Sequence, residues 1–363
     1  MKKLYWIATC GVLACWSPVV AAEEVAENPV VAEESQFKIA FGSCAHQKHP
    51  LPIFNRVVEH KPDLFVFLGD NIYGDTNNMK LLRQKYDMMA AKESYQLLKK
   101  NVPIIATWDD HDYGGNDQGK EYRHKEDSKE EFLRFFEEPL DSERRKRAGI
   151  YTSYYKKVGE KTIQIILLDN RTFRDRLVKF NASRHGRTHL FYRPEYAPHT
   201  DGKSTFLGKE QWAWLDRELK KPADVRIIGT GSQFSHQWNG YESWTNYPHE
   251  QAKMVELIKK NQAEGVMFIS GDVHYGEISA RQYKGCYPLI DVTSSGLSST
   301  WKYATPNRYR IEGPIMENHF GLITVKFGKT TPVITSEIWD IRGNQRVEYT
   351  IPLTMLKFPR KGE

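Results

Sequence analysis

The chain has 363 residues, of which 40% are hydrophobic and 12% aromatic, a composition that excludes an intrinsically disordered protein. Its 52 basic and 46 acidic residues leave a net charge of only +6, and no basic block is long enough to resemble a nucleic-acid-binding arm. This length suits one large domain or two small ones.

The first 22 residues have the features of a secretory signal peptide. Lys2 and Lys3 supply the charged start, an apolar run extends from Leu4 to Trp16, and small residues precede a cleavage site near Ala22. The apolar run is too short to cross a membrane. We therefore expect export to the periplasm or the cell exterior. A retained N-terminal anchor and a lipoprotein processed at Cys15 are the alternatives.

The remainder of the chain is interpreted as a short linker, residues 23–35, and one folded domain, residues 36–363. Removal of the leader leaves only Cys44 and Cys286, too few for a disulfide-stabilised scaffold. A single disulfide between Cys44 and Cys286 is nevertheless possible in an exported protein. We expect a monomer without a transmembrane span.

Strand-like and helix-like segments alternate along this domain as far as residue 270. Continuous apolar runs bounded by Gly or Pro predict strands buried on both faces, and apolar residues at helical spacing predict helices. In chain order we predict strand 37–41, helix 51–60, strand 63–68, helix 79–100, strand 102–107, helix 127–138, a hairpin of strands 151–158 and 162–168, helix 208–220, strand 225–229, helix 249–261 and strand 266–270.

Beyond residue 270 the helical patterns nearly stop. The predicted elements there are antiparallel strands 277–283, 289–293, 321–327, 332–338 and 345–351. Two α/β halves closed by a run of strands predict an α/β (α+β) fold, in which two mixed sheets pack face to face and helices flank them.

Polar clusters follow several of the predicted buried strands directly. These clusters are Gly42-Ser43-Cys44, Gly69-Asp70-Asn71-Ile72-Tyr73, Trp108-Asp109-Asp110-His111-Asp112 and Gly271-Asp272-Val273-His274. Because sites assemble at the carboxyl ends of strands in open α/β sheets, we expect these side chains to converge. Asp70, Cys44 and His274 each have an ordinary structural explanation when taken alone. The four titratable residues 109–112 have no obvious core role, and the ordered set of four clusters indicates a site.

Carboxylates and histidines that converge in one crevice would repel one another unless cations bind between them. Oxygen ligands suit calcium, magnesium or manganese, whereas an added thiolate or phenolate favours a ferric or zinc ion. A pair of ions can clamp a phosphoryl group and lower the pKa of a bound water. The residues alone therefore predict a metal-dependent phosphoesterase.

The motifs themselves resemble those of the PhoD-like alkaline phosphatases and phosphodiesterases, a branch of the calcineurin-like metallophosphoesterases. The resemblance extends from Phe41 to Ile278 and is carried by FGSC, LGDNIYGD, TWDDHDYGGND and SGDVH, with ILLDNR at 166–171 and ESWTNYPHE at 242–250. It implies an α/β/β/α sandwich over residues 36–363. It also implies a site that contains Fe³⁺ and Ca²⁺. Other divalent ions are alternative occupants of this site.

The resemblance assigns metal ligands residue by residue. Cys44 resembles a ferric ligand, Asp70 would bridge the metals, and Tyr73 would add a phenolate. Asp110 aligns with a metal-binding Asn of the superfamily, and Asp109 could also reach a metal. The remaining implied ligands are Asp272, which stands where the superfamily often has a His, and His274.

Four further residues are candidates for catalysis. His111 would stabilise or protonate the leaving oxygen while a metal-bound hydroxide attacks phosphorus, and Asp112 would orient His111. Arg171 could bind the phosphate with both arms of its guanidinium, or could be a surface arginine paired with Asp169 or Asp175. Asn71 could touch the substrate.

The sequence is compatible with several alternatives. The expected substrate is a small phosphate monoester or diester, or a lipid or polymer phosphodiester in a phospholipase or phosphodiesterase. The chain could instead be a metal-bound binding domain without catalysis. A hydrolase that uses Cys44 as its nucleophile is the third alternative.

Overall fold

The computed structural model describes residues 35–359 except 189, 329 and 330, so the predicted leader and all but the last residue of the linker lie outside it. The strands in this part of the chain are β1 (Ser35–Gly42), β2 (Leu64–Leu68), β3 (Ile104–Thr107), β4 (Thr152–Val158), β5 (Lys161–Leu167), β6 (Val178–Lys179), β7 (Tyr196–Ala197), β8 (Val225–Thr230), β9 (Val266–Ser270), β10 (Gly276–Arg281), β11 (Leu289–Ser294), β12 (Arg310–Ile315), β13 (His319–Phe327), β14 (Val333–Asp340) and β15 (Gln345–Pro352).

The helices are mostly short. They are α1 (Ile53–Glu59), α2 (Met79–Ala90), α3 (Glu93–Asn101), α4 (Asp110–Tyr113), α5 (Lys125–Phe135), α6 (Glu143–Lys146), α7 (Ala182–His185), α8 (Gly208–Leu219) and α9 (Pro248–Lys260), with 3₁₀ turns at Trp244–Asn246 and Leu353–Leu356. Within the described ranges, none of them combines the length and apolar character that a membrane span requires.

Two mixed sheets form the centre of the protein. The first has the strand order β15-β14-β13-β1-β2-β3, in which β1, β2 and β3 are parallel and β13 runs antiparallel to β1. The second has the order β12-β10-β11-β9-β8-β5-β4, with β5, β8, β9 and β11 parallel. The parallel strands of each sheet therefore end at one edge, where loops from both sheets can meet.

Strand β1 shows how both sheet faces are buried. Phe37, Ile39 and Phe41 belong to the large apolar cluster that joins the two sheets, whereas Ala40 belongs to a second cluster under the helices. Because successive side chains of a strand point to opposite faces, each strand of this kind contributes to two cores. This double burial explains why β2 and β9 are almost continuously apolar.

Helices cover the outer face of each sheet. α1, α2, α3 and α5 pack on the first sheet, and α8 and α9 pack on the second through side chains such as Trp212 and Met254. The predicted α/β (α+β) fold of two packed mixed sheets with flanking helices is therefore confirmed.

The main differences from the predicted elements are local. The single helix predicted over 79–100 is two helices, because Lys92 has an extended backbone (φ −73°, ψ 128°) that ends α2 and starts α3. The bend lets Tyr95 of α3 pack edge-on against Phe54 of α1. Strand β12 was not predicted, since it pairs only with β10 and is half-exposed and polar.

Glu250 ties the start of α9 to the segment that precedes α8. Its buried Oε2 accepts hydrogen bonds from Phe206 N (2.9 Å), Leu207 N (3.2 Å) and the indole Nε1 of Trp212 (2.7 Å). A carboxylate in the first turn of a helix is also favoured by the positive end of the helix dipole.

We expect Glu250→Ala to lower the free energy of unfolding by about 3 kcal/mol, because it leaves buried donors without an acceptor. Chemical denaturation measures this loss. Glu256→Ala is the matched control on the same helix, since Glu256 is exposed and pairs only with Lys259 among the described ion pairs; it should change the free energy of unfolding by less than about 0.5 kcal/mol. Equal losses in the two variants would contradict the structural role of Glu250.

Candidate metal centre

The predicted site residues all follow carboxyl ends of parallel strands. Cys44 follows β1, Asp70 follows β2, and the run from Asp109 to Asp112 follows β3. Arg171 follows β5 of the second sheet, and Asp272 and His274 follow β9. Asp70, Asp110, His111, Asp272 and His274 line one cavity of about 110 Å³. The two sheets thus deliver these side chains to one place.

The backbone curls sharply where it presents several of these side chains. Cys44, Asp70, Asp272 and His274 have φ values of 62°, 49°, 76° and 57°, in the left-handed region that non-glycine residues rarely adopt. Such conformations cost free energy and are concentrated at functional sites. Gly69 allows the close approach of neighbouring strand ends, since a Cβ there would lie 2.4 Å from the Cβ of Asp109.

Two groups of ligand atoms share one carboxylate. Atoms of Asp70, Asp110 and His111 lie within 4.8 Å of one another, and so do atoms of Asp109, Asp110 and Asp272. Asp110 belongs to both groups. This arrangement has the form of two adjacent cation sites with a common ligand.

Cys44 and Tyr73 lie on the Asp70 side of this pair. The buried Cys44 Sγ is 3.4 Å from Asp70 Oδ2 and 3.2 Å from Ser295 Oγ. Burial, followed by Cys44 and Asp70, raises the pKa of the Tyr73 phenol well above its usual value. The thiol, phenol and carboxyl group thus form one compact set, in which a cation would favour the deprotonated forms.

His274 has the environment of a ligating imidazole. Its Nδ1 lies 3.0 Å from the carbonyl oxygen of Ser299, so that Nδ1 donates and Nε2 carries the lone pair. Burial lowers the pKa of His274, which favours the neutral ring. A histidine ligand usually donates its second N–H to a carbonyl or carboxylate in this way.

The carboxyl groups are difficult to ionise together in this enclosed space. Burial, followed by the charge of Asp110, raises the pKa of Asp70 to about 7. Burial, followed by Asp109, raises the pKa of Asp272 well above its usual value. A bound cation would relieve both effects, because it neutralises the mutual repulsion of the carboxylates.

Unpaired oxygen atoms indicate that the donor set fits cations. The buried atoms Asp109 Oδ2, Asp110 Oδ1 and the hydroxyl of Tyr73 have no hydrogen-bond partner among the described residues. Buried polar atoms are rarely left without a partner, and each such atom is costly. Coordination to a metal ion would satisfy all three.

His111 is oriented by Asp75, which was not predicted as a site residue. The Nδ1 atom of His111 lies 2.7 Å from Asp75 Oδ1. Burial opposes the imidazolium, but Asp70 and the hydrogen bond to Asp75 outweigh it and raise the pKa of His111 to about 10. Asp75 lies within the LGDNIYGD motif, but only the fold of this loop shows which carboxylate faces His111.

The prediction that Asp112 orients His111 is wrong. Asp112 Oδ1 instead accepts the backbone N–H of Asp109 (2.8 Å), and Oδ2 accepts the side-chain amide of Asn71 (2.5 Å). Residues 110–113 form the short helix α4, so Asp112 turns back toward the start of that helix, as in a capping box. Asn71 is also buried and donates to the carbonyl oxygen of Thr107 (2.8 Å).

Arg171 is fully buried, so its interpretation as a surface arginine is wrong. Its Nε donates to Asp109 Oδ1 (2.5 Å) and its Nη1 donates to Glu242 Oε2 (2.9 Å), while Nη2 lies 3.7 Å from Asp110 Oδ1. The predicted bidentate contact with phosphate would require Arg171 to leave these carboxylates.

The buried Glu242 and the half-buried Asp117 are further acids that the sequence patterns did not identify. Glu242 pairs with Arg171 and with Arg174 Nε (3.3 Å). The backbone N–H of Asp117 donates to Asp110 Oδ2 (2.8 Å). Both residues lie in motifs that the resemblance identified, but those motifs do not reveal which of their acids face the metal centre.

The possible Cys44–Cys286 disulfide is not formed. Both residues are free, buried thiols. Cys44 lies at the metal centre, whereas Cys286 lies in the turn before β11, where its backbone N–H donates to the carbonyl oxygen of Tyr283. Cys44 is therefore available as a ligand.

Comparison with known proteins agrees with this geometry. Residues 39–301 match the family described as PhoD-like phosphatase. The chain is 23% identical over 292 residues to alkaline phosphatase D of Bacillus subtilis (strain 168), an alignment that covers 67% of this chain. The chain spans about half the length of that relative, 46%.

Solved structures share the fold. A structure of PhoD has a TM-score of 0.66 at 17% identity and covers 87% of this chain and 72% of that one. A dimetal phosphatase from Danio rerio has a TM-score of 0.52 at 13% identity, and the match covers 87% of this chain and 99% of that one. GAP50, described as the anchor in the inner membrane complex of Plasmodium, has a TM-score of 0.54 at 14% identity and covers 90% of both chains.

We expect metal ions to stabilise this protein. At a free metal concentration 100 times the dissociation constant, one site adds about 2.7 kcal/mol to the free energy of unfolding, and EDTA should remove that gain. Asp110→Ala should abolish most of the gain, because Asp110 belongs to both ligand groups. Thermal unfolding with and without EDTA, combined with elemental analysis, measures the effect.

The exposed Asp141 provides the control, since Asp141→Ala should keep the metal-dependent gain. Each variant is compared with itself in the two conditions, so any change in the stability of the metal-free fold cancels. An equal gain in Asp110→Ala and Asp141→Ala would contradict the proposed ligand groups.

Proposed function

Because this chain belongs to the PhoD-like phosphatase family, a family of phosphoric ester hydrolases, we propose that it hydrolyses phosphate monoesters, diesters or both at the metal centre. The observation that carries this proposal is the pair of ligand groups joined at Asp110, with His111 at the edge of the same cavity. Two adjacent cations can hold both the attacking and the leaving oxygen of a phosphoryl group.

The ligand types support a different metal for each position. Cys44, Tyr73 and Asp70 would hold Fe³⁺, because a thiolate and a phenolate prefer such an ion. Asp109, Asp110 and Asp272 offer only oxygen atoms, the preference of Ca²⁺. His274 faces the same cavity and completes the set of donors. Bound cations would supply Lewis acidity and activate water for attack on phosphorus.

His111 is the proposed general acid. Its imidazolium form would stabilise the phosphoryl oxygens and donate a proton to the leaving oxygen. Asp75 fixes the ring through Nδ1, which leaves Nε2 to face the substrate. The hydrogen bond to the carboxylate of Asp75, which is not a proposed metal ligand, favours the protonated ring.

Arg171, Asp112 and Asn71 are proposed to position other residues rather than to react. Arg171 holds Asp109 and Glu242, and it partly neutralises the buried carboxylates. Asp112 and Asn71 link the loop after β2 to the start of α4, which carries Asp110 and His111. This role explains why all three side chains are almost inaccessible to solvent.

The observed geometry supports a Cys44-nucleophile hydrolase and a non-catalytic binding domain less well than it supports a metal-dependent hydrolase. Burial, followed by the charge of Asp70, raises the pKa of the Cys44 thiol well above its usual value, whereas a nucleophilic cysteine needs a lowered pKa. A binding domain without catalysis is consistent with the fold, since the fold also occurs in a protein described as an anchor. His111 belongs to one of the two groups, and its hydrogen bond to Asp75 favours the protonated ring of a general acid, which supports catalysis.

The substrate scope and location remain part of this proposal. Lipid or polymer phosphodiesters are an alternative to small esters, because the cavity opens beside a broad aromatic surface formed by residues such as Tyr241 and Trp301. Export after cleavage near Ala22 is supported by the sequence of the leader alone.

Protein loaded with iron and calcium should hydrolyse p-nitrophenyl phosphate or bis-p-nitrophenyl phosphate, and EDTA should abolish the reaction. His111→Ala should lower kcat by about 10²- to 10⁴-fold while metal content is retained, because it removes the general acid. Release of p-nitrophenol measures the rate. Metal-loaded protein that cleaves neither ester would support the binding domain instead.

Asp75→Asn should move the alkaline limb of the kcat/KM profile to lower pH. The carboxylate of Asp75 stabilises the protonated imidazole, so its removal lowers the pKa of His111 and the acid is lost earlier as pH rises. We expect kcat/KM in alkaline solution to fall by about 10- to 100-fold.

Asp127→Asn is the matched control for Asp75→Asn. Asp127 lies 3.2 Å from Nδ1 of the surface residue His124, so the change also breaks a pair between Asp and His. Its pH profile should superimpose on that of the unmodified protein. If the pH profile of Asp75→Asn also superimposed on that of the unmodified protein, Asp75 would not stabilise the protonated form of His111.

A further inference from the structure

Aromatic side chains from three loops form a continuous surface beside the metal centre. We name this surface the aromatic wall; its members are Phe191, Tyr192, Tyr241, Trp301 and Tyr303. Tyr241 and Trp301 line the cavity together with Asp70 and His111. At the outer end, Phe191 is 71% exposed and Tyr303 is 37% exposed. The wall therefore leads from the ligand groups to the protein surface.

The inner half of the wall is built directly on a proposed metal ligand. Trp301 stacks on His274, with ring centroids 5.4 Å apart and an interplanar angle of 26°. Tyr303 stacks in turn on Trp301 at 5.5 Å and 23°. The backbone N–H of Trp301 donates to the carbonyl oxygen of His274 (2.9 Å), which fixes the loop against the site.

The outer half of the wall is also held in place. Tyr192 stacks on Tyr241 at 5.3 Å and 27°, and its hydroxyl donates to the carbonyl oxygen of Asn239 (2.5 Å). The hydroxyl groups of Tyr241 and Tyr303 lie 2.7 Å apart. Phe191 contacts both Tyr192 and Tyr303. Rings that are already ordered lose little entropy when a ligand binds.

Given the proposed function, we propose that the aromatic wall binds the organic group of the phosphate ester, and that this group is a planar aromatic one, a nucleobase or another aryl ring. The wall begins at the cavity in which the phosphoryl group would be held. An ester bound there would extend its organic group along the rings, where stacking on aromatic faces is favourable for any planar π-system.

The hydroxyl groups of the wall favour an aromatic ester over an acyl chain, and nearby positive charge suits the phosphate of either. Arg193 and Lys302, both exposed, directly follow Tyr192 and Trp301 in the chain and add positive charge for an anionic ligand. The tyrosine hydroxyl groups place polar edges beside the ring faces, which suits the heteroatoms of a base. Stacking and edge contacts of this kind are typical of sites that recognise unpaired bases.

The test uses the full metal-loaded protein and two matched pairs of probes. Adenosine 5′-monophosphate is compared with ribose 5-phosphate, and phenyl phosphate with cyclohexyl phosphate, each as the monoester and as its methyl diester. In Phe191→Ala/Tyr303→Ala we expect kcat/KM to fall by about tenfold or more for the aromatic member of a pair, and by less than twofold for its partner. Each probe is compared with itself across variants, so differences in leaving-group chemistry cancel.

Three further variants separate stacking from other effects. Phe191→Leu keeps an apolar side chain without a π-face and should lose activity on the aromatic esters, as Phe191→Ala/Tyr303→Ala does. Tyr303→Phe keeps the ring and should retain activity on the aromatic esters. Leu140→Ala removes an exposed apolar residue outside the wall, 88% exposed, and should leave all rates unchanged. A loss on adenosine esters alone identifies a nucleobase, and a loss on both aromatic esters identifies a general aryl site.

Equal losses on phenyl and cyclohexyl esters, or no loss on any ester, would overturn the proposal. If the unmodified protein cleaved none of the probes, the proposed function would fail separately. The role of the aromatic wall would then be tested by ligand binding, measured as quenching of tryptophan fluorescence. Tighter binding of adenosine 5′-monophosphate than of ribose 5-phosphate, lost in Phe191→Ala/Tyr303→Ala, would support it, and equal binding would overturn it.

Discussion

The mutual repulsion of buried carboxylates is the constraint on which the rest of this structure depends. Strands of two sheets bring Asp70, Asp109, Asp110 and Asp272 close together, and the fold places the guanidinium of Arg171 against Asp109 and Asp110. The guanidinium and the imidazolium of His111 together cannot balance four carboxylates. The protein therefore needs either added protons, as the raised pKa of Asp70 indicates, or added metal ions.

Much of the fold followed from local sequence patterns. Runs such as 64–68 and 266–270 are buried on both faces, so their composition alone identified them as central strands. The convergence of Asp70, Asp110 and Asp272 also followed, because the carboxyl ends of parallel strands meet at one edge of a sheet. Edge strand β12 could not be predicted from such patterns, since a half-exposed polar strand lacks the continuous apolar run.

The contacts within the site could not be derived in the same way. The family resemblance implied that Asp112 orients His111, but the turn of α4 directs Asp112 toward Asn71 and leaves His111 to face Asp75. Arg171 has an ordinary local sequence, and its burial depends on Glu242, which lies 71 residues further along the chain. Side-chain direction in a tight turn is a tertiary property, and one sequence carries no direct signal of it.

The spread of the ligand set along the chain has a consequence for how the protein acquires its metals. Cys44 and His274 are separated by most of the folded domain, and each ligand depends on a different strand for its position. The metal centre can thus form only after both sheets have assembled, which makes metal loading a late step rather than a template for folding. The ions available when folding finishes, rather than those present during synthesis, would then decide which metals the folded protein carries.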